Sequence, residues 1–234
     1  MIMLRNVEKI FDSVRAVDGI SFEIKSGEVF GLLGKNGAGK TTTIKMLTLQ
    51  IKPTAGEIFF EGRAVHGNEI FIKSLLGIVP QHLNFDQDLT VEENLELHAR
   101  LHHLQSLERR ERIADLLKFV ELERFRKSFV RELSGGMKRR LLIVRALIHR
   151  PKILFLDEPT VALDPQVRHK IWELIKSLKS QGITIVLTTH YIEEAQNLCD
   201  RVAILNRGRL VALDTTKNLC AGRSLEEIFI ELTK

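Results

Sequence analysis

The chain has 234 residues, 44% hydrophobic and 28% charged, with a formal net charge of +5 at pH 7. That length and balance suit one large α/β domain whose core needs no staples. The two cysteines, Cys199 and Cys220, form no CxxC pair and sit in no His/Cys cluster, so neither a structural zinc site nor a disulfide framework is expected.

The mild positive charge is compatible with a nucleic acid, an anionic lipid or a nucleotide polyanion as partner, and equally with simple solubility. The first ten residues carry Arg5, Glu8 and Lys9, which interrupts any apolar run and argues against a signal peptide. No apolar stretch approaches the roughly 18 residues of a membrane span. A role at a membrane therefore calls for a partner that anchors the chain.

Up to about residue 62 the pattern alternates strand and turn, with residues 21–24 and 57–60 reading as strands. Residues 29–33 are an unbroken apolar run, as expected of a strand buried on both faces of a parallel sheet. Directly after it comes Gly34-Lys35-Asn36-Gly37-Ala38-Gly39-Lys40-Thr41, which fits the phosphate-loop pattern G-x-x-x-x-G-K-[ST]. Its glycines let backbone N–H groups turn inward around phosphate oxygens. A helix starting at Gly39 adds its positive end, Lys40 supplies a point charge, and the Thr41 hydroxyl can ligate Mg²⁺. A helical pattern over 42–49 completes the strand–loop–helix context that this motif requires.

From about 83 to 150 the periodicity turns helical, and this stretch reads as a lobe inserted between two strands of the sheet. Thr90 and Glu93 form a capping box, and residues 108–120 place apolar side chains at helical spacing. Leu133-Ser134-Gly135-Gly136-Met137 precedes a long helical pattern over 138–149, with Ser134 as a good N-cap. The two glycines leave backbone N–H groups open to an anion, although an ordinary capped helix explains them as well.

Residues 153–156 form a second apolar strand, ending in the paired acids Asp157 and Glu158. Strand alternation sends adjacent side chains to opposite sides, so the two need not share one task. One can hold a Mg²⁺ water shell while the other acts as general base on an attacking water. A third strand is expected over 183–187, a hairpin over 201–213 turning at Asn206-Arg207-Gly208, and a terminal helix over 224–232 opened by Ser224 and Glu227.

In this order, the elements resemble the ABC ATPase family. They are the phosphate loop through Thr42, a glutamine loop at Gln81, the signature at 133–137, the acidic strand ending in Glu158, the Asp loop Ala162-Leu163-Asp164 and a switch histidine at His190. The resemblance covers essentially the whole chain and implies the fold: a phosphate-loop NTPase core with a parallel sheet, an antiparallel N-terminal β part and the inserted helical lobe. It implies one domain over 1–234, with the lobe at about 83–150 and a hairpin and helix at about 200–234.

The resemblance also implies roles. ATP and Mg²⁺ are the expected cofactors. Phe11 matches the aromatic that stacks on adenine, although core packing explains a phenylalanine equally well. Stacking discriminates poorly between bases, so only a modest preference for ATP over GTP is expected. Gly34, Asn36, Gly37, Ala38, Gly39, Lys40, Thr41 and Thr42 match the phosphate cradle. Thr41 and Asp157 match the Mg²⁺ site, Gln81 the residue that contacts Mg²⁺ or the attacking water and couples to the partner, Glu158 the catalytic base, and His190 the γ-phosphate sensor. Ser134, Gly135 and Gly136 match groups that bind the ATP held by a second subunit, which implies a head-to-tail dimer.

Two positions depart from the family pattern: Val161 stands where a small or hydroxyl residue is usual, and Met137 replaces the commoner Gln. Several phrases, among them Thr188-Thr189-His190-Tyr191-Ile192-Glu193-Glu194-Ala195, resemble the drug- and antibiotic-resistance exporter branch. That branch implies two copies beneath an integral membrane permease, on the cytoplasmic face of the cell membrane. The basic triplets Arg109-Arg110-Arg112 and Lys138-Arg139-Arg140 would then lie near lipid head groups, or else simply form solvated helix faces.

The competing expectation is a soluble member of the family, acting on a ribosome, on DNA or in iron–sulfur assembly. The single ATPase unit, the lack of a long coiled-coil insertion and the lack of an aromatic-plus-basic motif weigh against the first two. Nucleic acid is accordingly not an expected partner.

Overall fold

A computed structural model describes residues 1–220 and 222–234. In chain order the strands and helices are β1 (Ile2–Phe11), β2 (Val14–Ile24), β3 (Val29–Leu33), α1 (Lys40–Leu47), β4 (Ala55–Phe60), β5 (Arg63–Ala64), α2 (Glu69–Leu75), β6 (Leu76–Val79), α3 (Val91–Leu101), α4 (Ser106–Phe119), α5 (Gly135–Ala146), β7 (Ile153–Asp157), α6 (Pro165–Ser180), β8 (Thr184–Thr189), α7 (Ile192–Leu198), β9 (Arg201–Asn206), β10 (Arg209–Thr215), α8 (Thr216–Cys220) and α9 (Leu225–Leu232).

Two sheets form. The first is antiparallel, in the order β2-β1-β4-β5. The second runs β10-β9-β3-β8-β7-β6, parallel from β9 to β6 with β10 antiparallel at the edge. The helices α3, α4 and α5 follow β6 and precede β7 along the chain. The expected combination of parallel core, antiparallel N-terminal part and interposed helices is the one observed.

Alternation along β3 explains its wholly apolar sequence. Phe30 and Leu32 face the antiparallel sheet and pack with Ile2, Leu4, Ile24 and Phe60, while Val29 and Leu33 face the helical side with Leu142, Ile175 and Leu198. The rings of Phe22 and Phe30 stack across the two sheets at 5.3 Å. A strand buried on both faces can tolerate no polar side chain on either.

Several boundaries differ from the sequence reading. The helix expected over 138–149 spans Gly135–Ala146, so both glycines lie inside its first turn rather than before it. The third strand is shifted towards the C-terminus and includes Thr188 and Thr189. The basic triplets are largely engaged within the protein. Arg109 donates to Glu96 and to the Leu104 carbonyl, Arg112 to the Leu147 carbonyl, and Arg140 to the Val120 carbonyl. Arg139 is buried. Within the triplets Arg110 is exposed, whereas Arg109, Arg112, Arg139 and Arg140 are tied to the protein's own carbonyls and carboxylates.

Three histidines gather where α3 meets the turn between α5 and β7. The rings of His102 and His149 stack at 3.9 Å, and His149 Nε2 donates to the Leu76 carbonyl at 2.9 Å. Burial first, then the Arg145 charge, lowers the pKa of His98 to about 4. Burial, then His102, lowers that of His149 to about 4.

Both rings are thus neutral when folded and take up protons near pH 6.5 once unfolded. Their contribution is fully present above about pH 6.5 and is lost as pH falls towards about 4. Urea midpoints taken across that window should drop, and His149→Gln should flatten the drop. An unchanged slope in the variant would rule this cluster out as the source.

Candidate active site

The phosphate loop joins β3 to α1. Gly39 caps the helix at φ 100°, and a Cβ there would sit 2.6 Å from the Ala16 carbonyl, so only glycine fits. The loop closes on its own lysine. Lys40 Nζ donates to the Gly34 carbonyl at 2.8 Å and the Lys35 carbonyl at 3.1 Å. The side chain is buried, and burial lowers its pKa against the opposing pull of Glu158 and Asp157.

Three strand ends converge on this loop. Asp157 closes β7 and accepts from Thr188 Oγ1 at 2.5 Å and Thr41 Oγ1 at 3.4 Å. Thr188 Oγ1 also accepts from the Glu158 amide at 2.9 Å, tying β7 to β8. Glu158 sits at φ 47°, a left-handed conformation that is unusual for a side-chain-bearing residue. This turn interrupts strand alternation. Both acids therefore face the loop, where alternation would have sent them apart, yet with different partners. Glu158 Oε2 accepts from Gln81 Nε2 at 3.1 Å, while Oε1 lies 3.3 Å from His190 Nδ1 and 3.9 Å from Lys40 Nζ.

An open cleft of about 830 Å³ lies over these groups. Asn36, Gly37, Gly39, Lys40, Thr41, Thr42, Gln81, Glu158 and His190 line it. This crevice beyond the carboxyl ends of parallel strands is where such sheets hold ligands. Ala38 is buried beneath the loop and contributes backbone, accepting from the Gly208 amide at 3.1 Å. Gly34 is held through its carbonyl.

Phe11 lies outside the cleft wall but is 46% exposed, which removes the core-packing alternative. It pairs across the β1–β2 turn with Val14, which does line the cleft. Ser134, Gly135 and Gly136 are not in this chain's cleft. Ser134 Oγ accepts from the Met137 amide at 3.3 Å, and Ser134 and Gly135 are exposed. Gly136 is buried against α6, where a Cβ would meet Val167 at 2.6 Å.

The chain matches the family described as "ABC transporter" over residues 17–161. The "Nod factor export ATP-binding protein I" of Burkholderia orbicola (strain AU 1054) is 48% identical over 208 residues, covering 89% of this chain and 68% of that protein. A solved "ATP binding subunit of ABC transporter" superposes with TM-score 0.89 at 31% identity, over the full length of both chains. A dimeric ATP-binding cassette in a post-hydrolysis state bound to ADP and Pi superposes with TM-score 0.82 at 33% identity, covering 92% of this chain and 98% of that one.

The chain belongs to the ABC transporter family.

It is an ATP-binding subunit of that family and an ATPase. The cleft over the phosphate loop is accordingly the candidate ATP site. Sequence reasoning missed several of this ABC subunit's supporting residues. Thr188 fixes both acids, and its only sequence signal is a hydroxyl at the polar end of an apolar strand. Arg139 donates to the Pro80 and Gln81 carbonyls at 3.0 and 2.9 Å, linking the signature helix α5 to the glutamine loop. Its place in a basic triplet concealed that buried role. Arg15 and Arg207 line the cleft, from the β1–β2 turn region and the β9–β10 turn. No local pattern distinguishes them from surface arginines. Val161, the departure from the family pattern, also lines the cleft.

Proposed function

We propose that this chain, acting as one domain over 1–234, is the ATP-hydrolysing motor of an exporter. It works as a head-to-tail pair beneath a separate integral membrane permease, on the cytoplasmic face of the membrane. The observation that carries this reading is the split site. Lys40, Gln81, Glu158 and His190 meet at one cleft, while Ser134 and Gly135 are exposed elsewhere on the same chain. A second copy brings that helix start to the cleft and supplies its N–H groups to the nucleotide. The lobe over about 83–150 carries the signature, and the permease docks beside it and the glutamine loop. The part over about 200–234 flanks the phosphate loop through Gly208.

Phe11, beside Val14 at the rim, stacks on adenine, while within the cleft the loop over 34–42 wraps the phosphates and Lys40 faces the β- and γ-phosphates. Glu158 takes the proton of the attacking water, Gln81 orients that water, and His190 contacts the γ-phosphate. The donors near the loop suit Mg²⁺. Thr41 Oγ1 and Asp157 Oδ1 lie 3.4 Å apart, and Gln81, which donates through Nε2 to Glu158, keeps its side-chain oxygen available. These are hard oxygen ligands. Among the described residues no group of three or more His, Cys, Asp or Glu forms a cage. That fits a cation which takes its other ligands from phosphate and water. When bound, Mg²⁺ supplies charge neutralisation at the phosphates.

No helix among the described residues is long and apolar enough to cross a membrane. The proposal assigns the membrane crossing to a separate permease. Affinity capture of the tagged chain from detergent-solubilised membranes of its source organism tests this. A multi-span membrane protein recovered in equal amount is the expected result. Recovery of soluble partners alone would leave the ATPase standing and overturn the exporter assignment.

A further inference from the structure

Behind the cleft lies a buried carboxylate that the mechanism above does not use. Glu194 stands on α7, fully buried, four residues past His190 and facing the back of the β7–α6 connection. Its Oε1 accepts from Thr160 Oγ1 at 2.7 Å and from Trp172 Nε1 at 3.1 Å. Thr160 and Trp172 are buried as well. Burial pushes the Glu194 pKa up, against hydrogen bonds from Thr160, Thr189 and Trp172 that lower it.

A leucine or methionine would fill such a site without a buried polar group, and apolar replacements of buried polar networks are often neutral or stabilising. A polar group kept there specifies geometry. The geometry at stake is strained. Glu158 and Ala162 both adopt left-handed backbone, at φ 47° and 58°, and Thr160 lies midway between them. Non-glycine residues persist in that region only where the surroundings over-determine them. Thr188 holds this turn from the front through the Glu158 amide. The Thr160–Glu194 bond holds it from behind.

We propose that Glu194 is a positioning residue that latches Thr160 to the helix following His190, so that Glu158 and His190 move as one unit. It touches no substrate and acts through these two residues. The inference rests on Glu158 and His190 being the working groups of the ATP site.

The molecule carries its own reporter. Trp172 is the chain's sole tryptophan, and its indole N–H is bonded to Glu194, so its spectrum reads the latch directly. The test compares the wild-type chain with Glu194→Gln, Glu194→Leu and Thr160→Val, by indole hydrogen-bond bands in ultraviolet resonance Raman and by steady-state ATPase kinetics.

Glu194→Leu should lose the hydrogen-bonded indole signature and lower kcat about tenfold, with KM for ATP within about twofold, because a small displacement of a reacting group costs rate rather than binding. Glu194→Gln retains an acceptor oxygen and should restore most of kcat. Thr160→Val should lower kcat similarly, and combining it with Glu194→Leu should add little.

A folded Glu194→Leu with kcat within twofold of wild type would overturn the proposal. So would a glutamine variant no better than the leucine one. If Glu194→Leu does not fold, Thr160→Val, which removes one hydroxyl at constant shape, decides alone by the same criteria. Should Glu158 fail as the base, the Trp172 signature still reports whether the latch exists.

Discussion

Glu158→Gln should bind MgATP normally and hydrolyse it at least a hundredfold more slowly. The carboxylate stands 3.1 Å from Gln81 and 3.3 Å from His190, at the mouth of the phosphate loop. General-base assistance is worth roughly 10²- to 10⁴-fold in rate. The amide keeps the shape and can still accept from Gln81, so cradle and strand ends should stay in place while the proton acceptor is gone. Steady-state phosphate release gives the rate, and titration with a fluorescent ATP analogue gives the affinity. A loss below about tenfold would move the base elsewhere, with His190 the first candidate on distance.

Lys40→Met should do the opposite, removing nucleotide binding while leaving the fold intact. The ammonium is buried and held by the Gly34 and Lys35 carbonyls. Truncating a buried, hydrogen-bonded charge that faces an opposite charge costs roughly 2–5 kcal/mol of binding. ATP affinity should therefore fall by about thirtyfold or more. Stability should change little. The two carbonyls lose a donor, but the chain no longer buries a charge, a cost already visible in the lowered Lys40 pKa. Equilibrium titration together with a urea midpoint separates the two effects. Unchanged affinity would refute the assignment of Lys40, and a collapsed midpoint would make the lysine structural.

What the sequence made legible follows from how local each signal is. The phosphate loop, the capped α3 and α9 and the apolar β3 are written in contiguous residues, and all appear where expected. Asp157 and Glu158 were located by their strand, but their common orientation was not. It depends on a left-handed backbone at Glu158, which no strand pattern announces. The 16-residue helix α6 went unread, although Asp164 caps it and Pro165 opens it. Asp164 serves both as the helix cap and as the last residue of the Asp loop pattern. Residues that act through distant partners, such as Thr188, Arg139 and Glu194, carry no local signature. Their roles exist only once β7, β8, α5 and α7 are packed together.

The split between the cleft and the exposed Ser134–Gly135 helix start makes a single copy of the site incomplete in the proposed pairing. The mass of purified Glu158→Gln, measured by light scattering with and without saturating MgATP, tests it most directly. Adding nucleotide should shift the 26.7 kDa chain to a particle of twice that mass. A Ser134→Arg substitution in the same chain should abolish that shift by blocking the partner's cleft. A variant that binds MgATP yet remains a monomer at saturation would contradict the paired site.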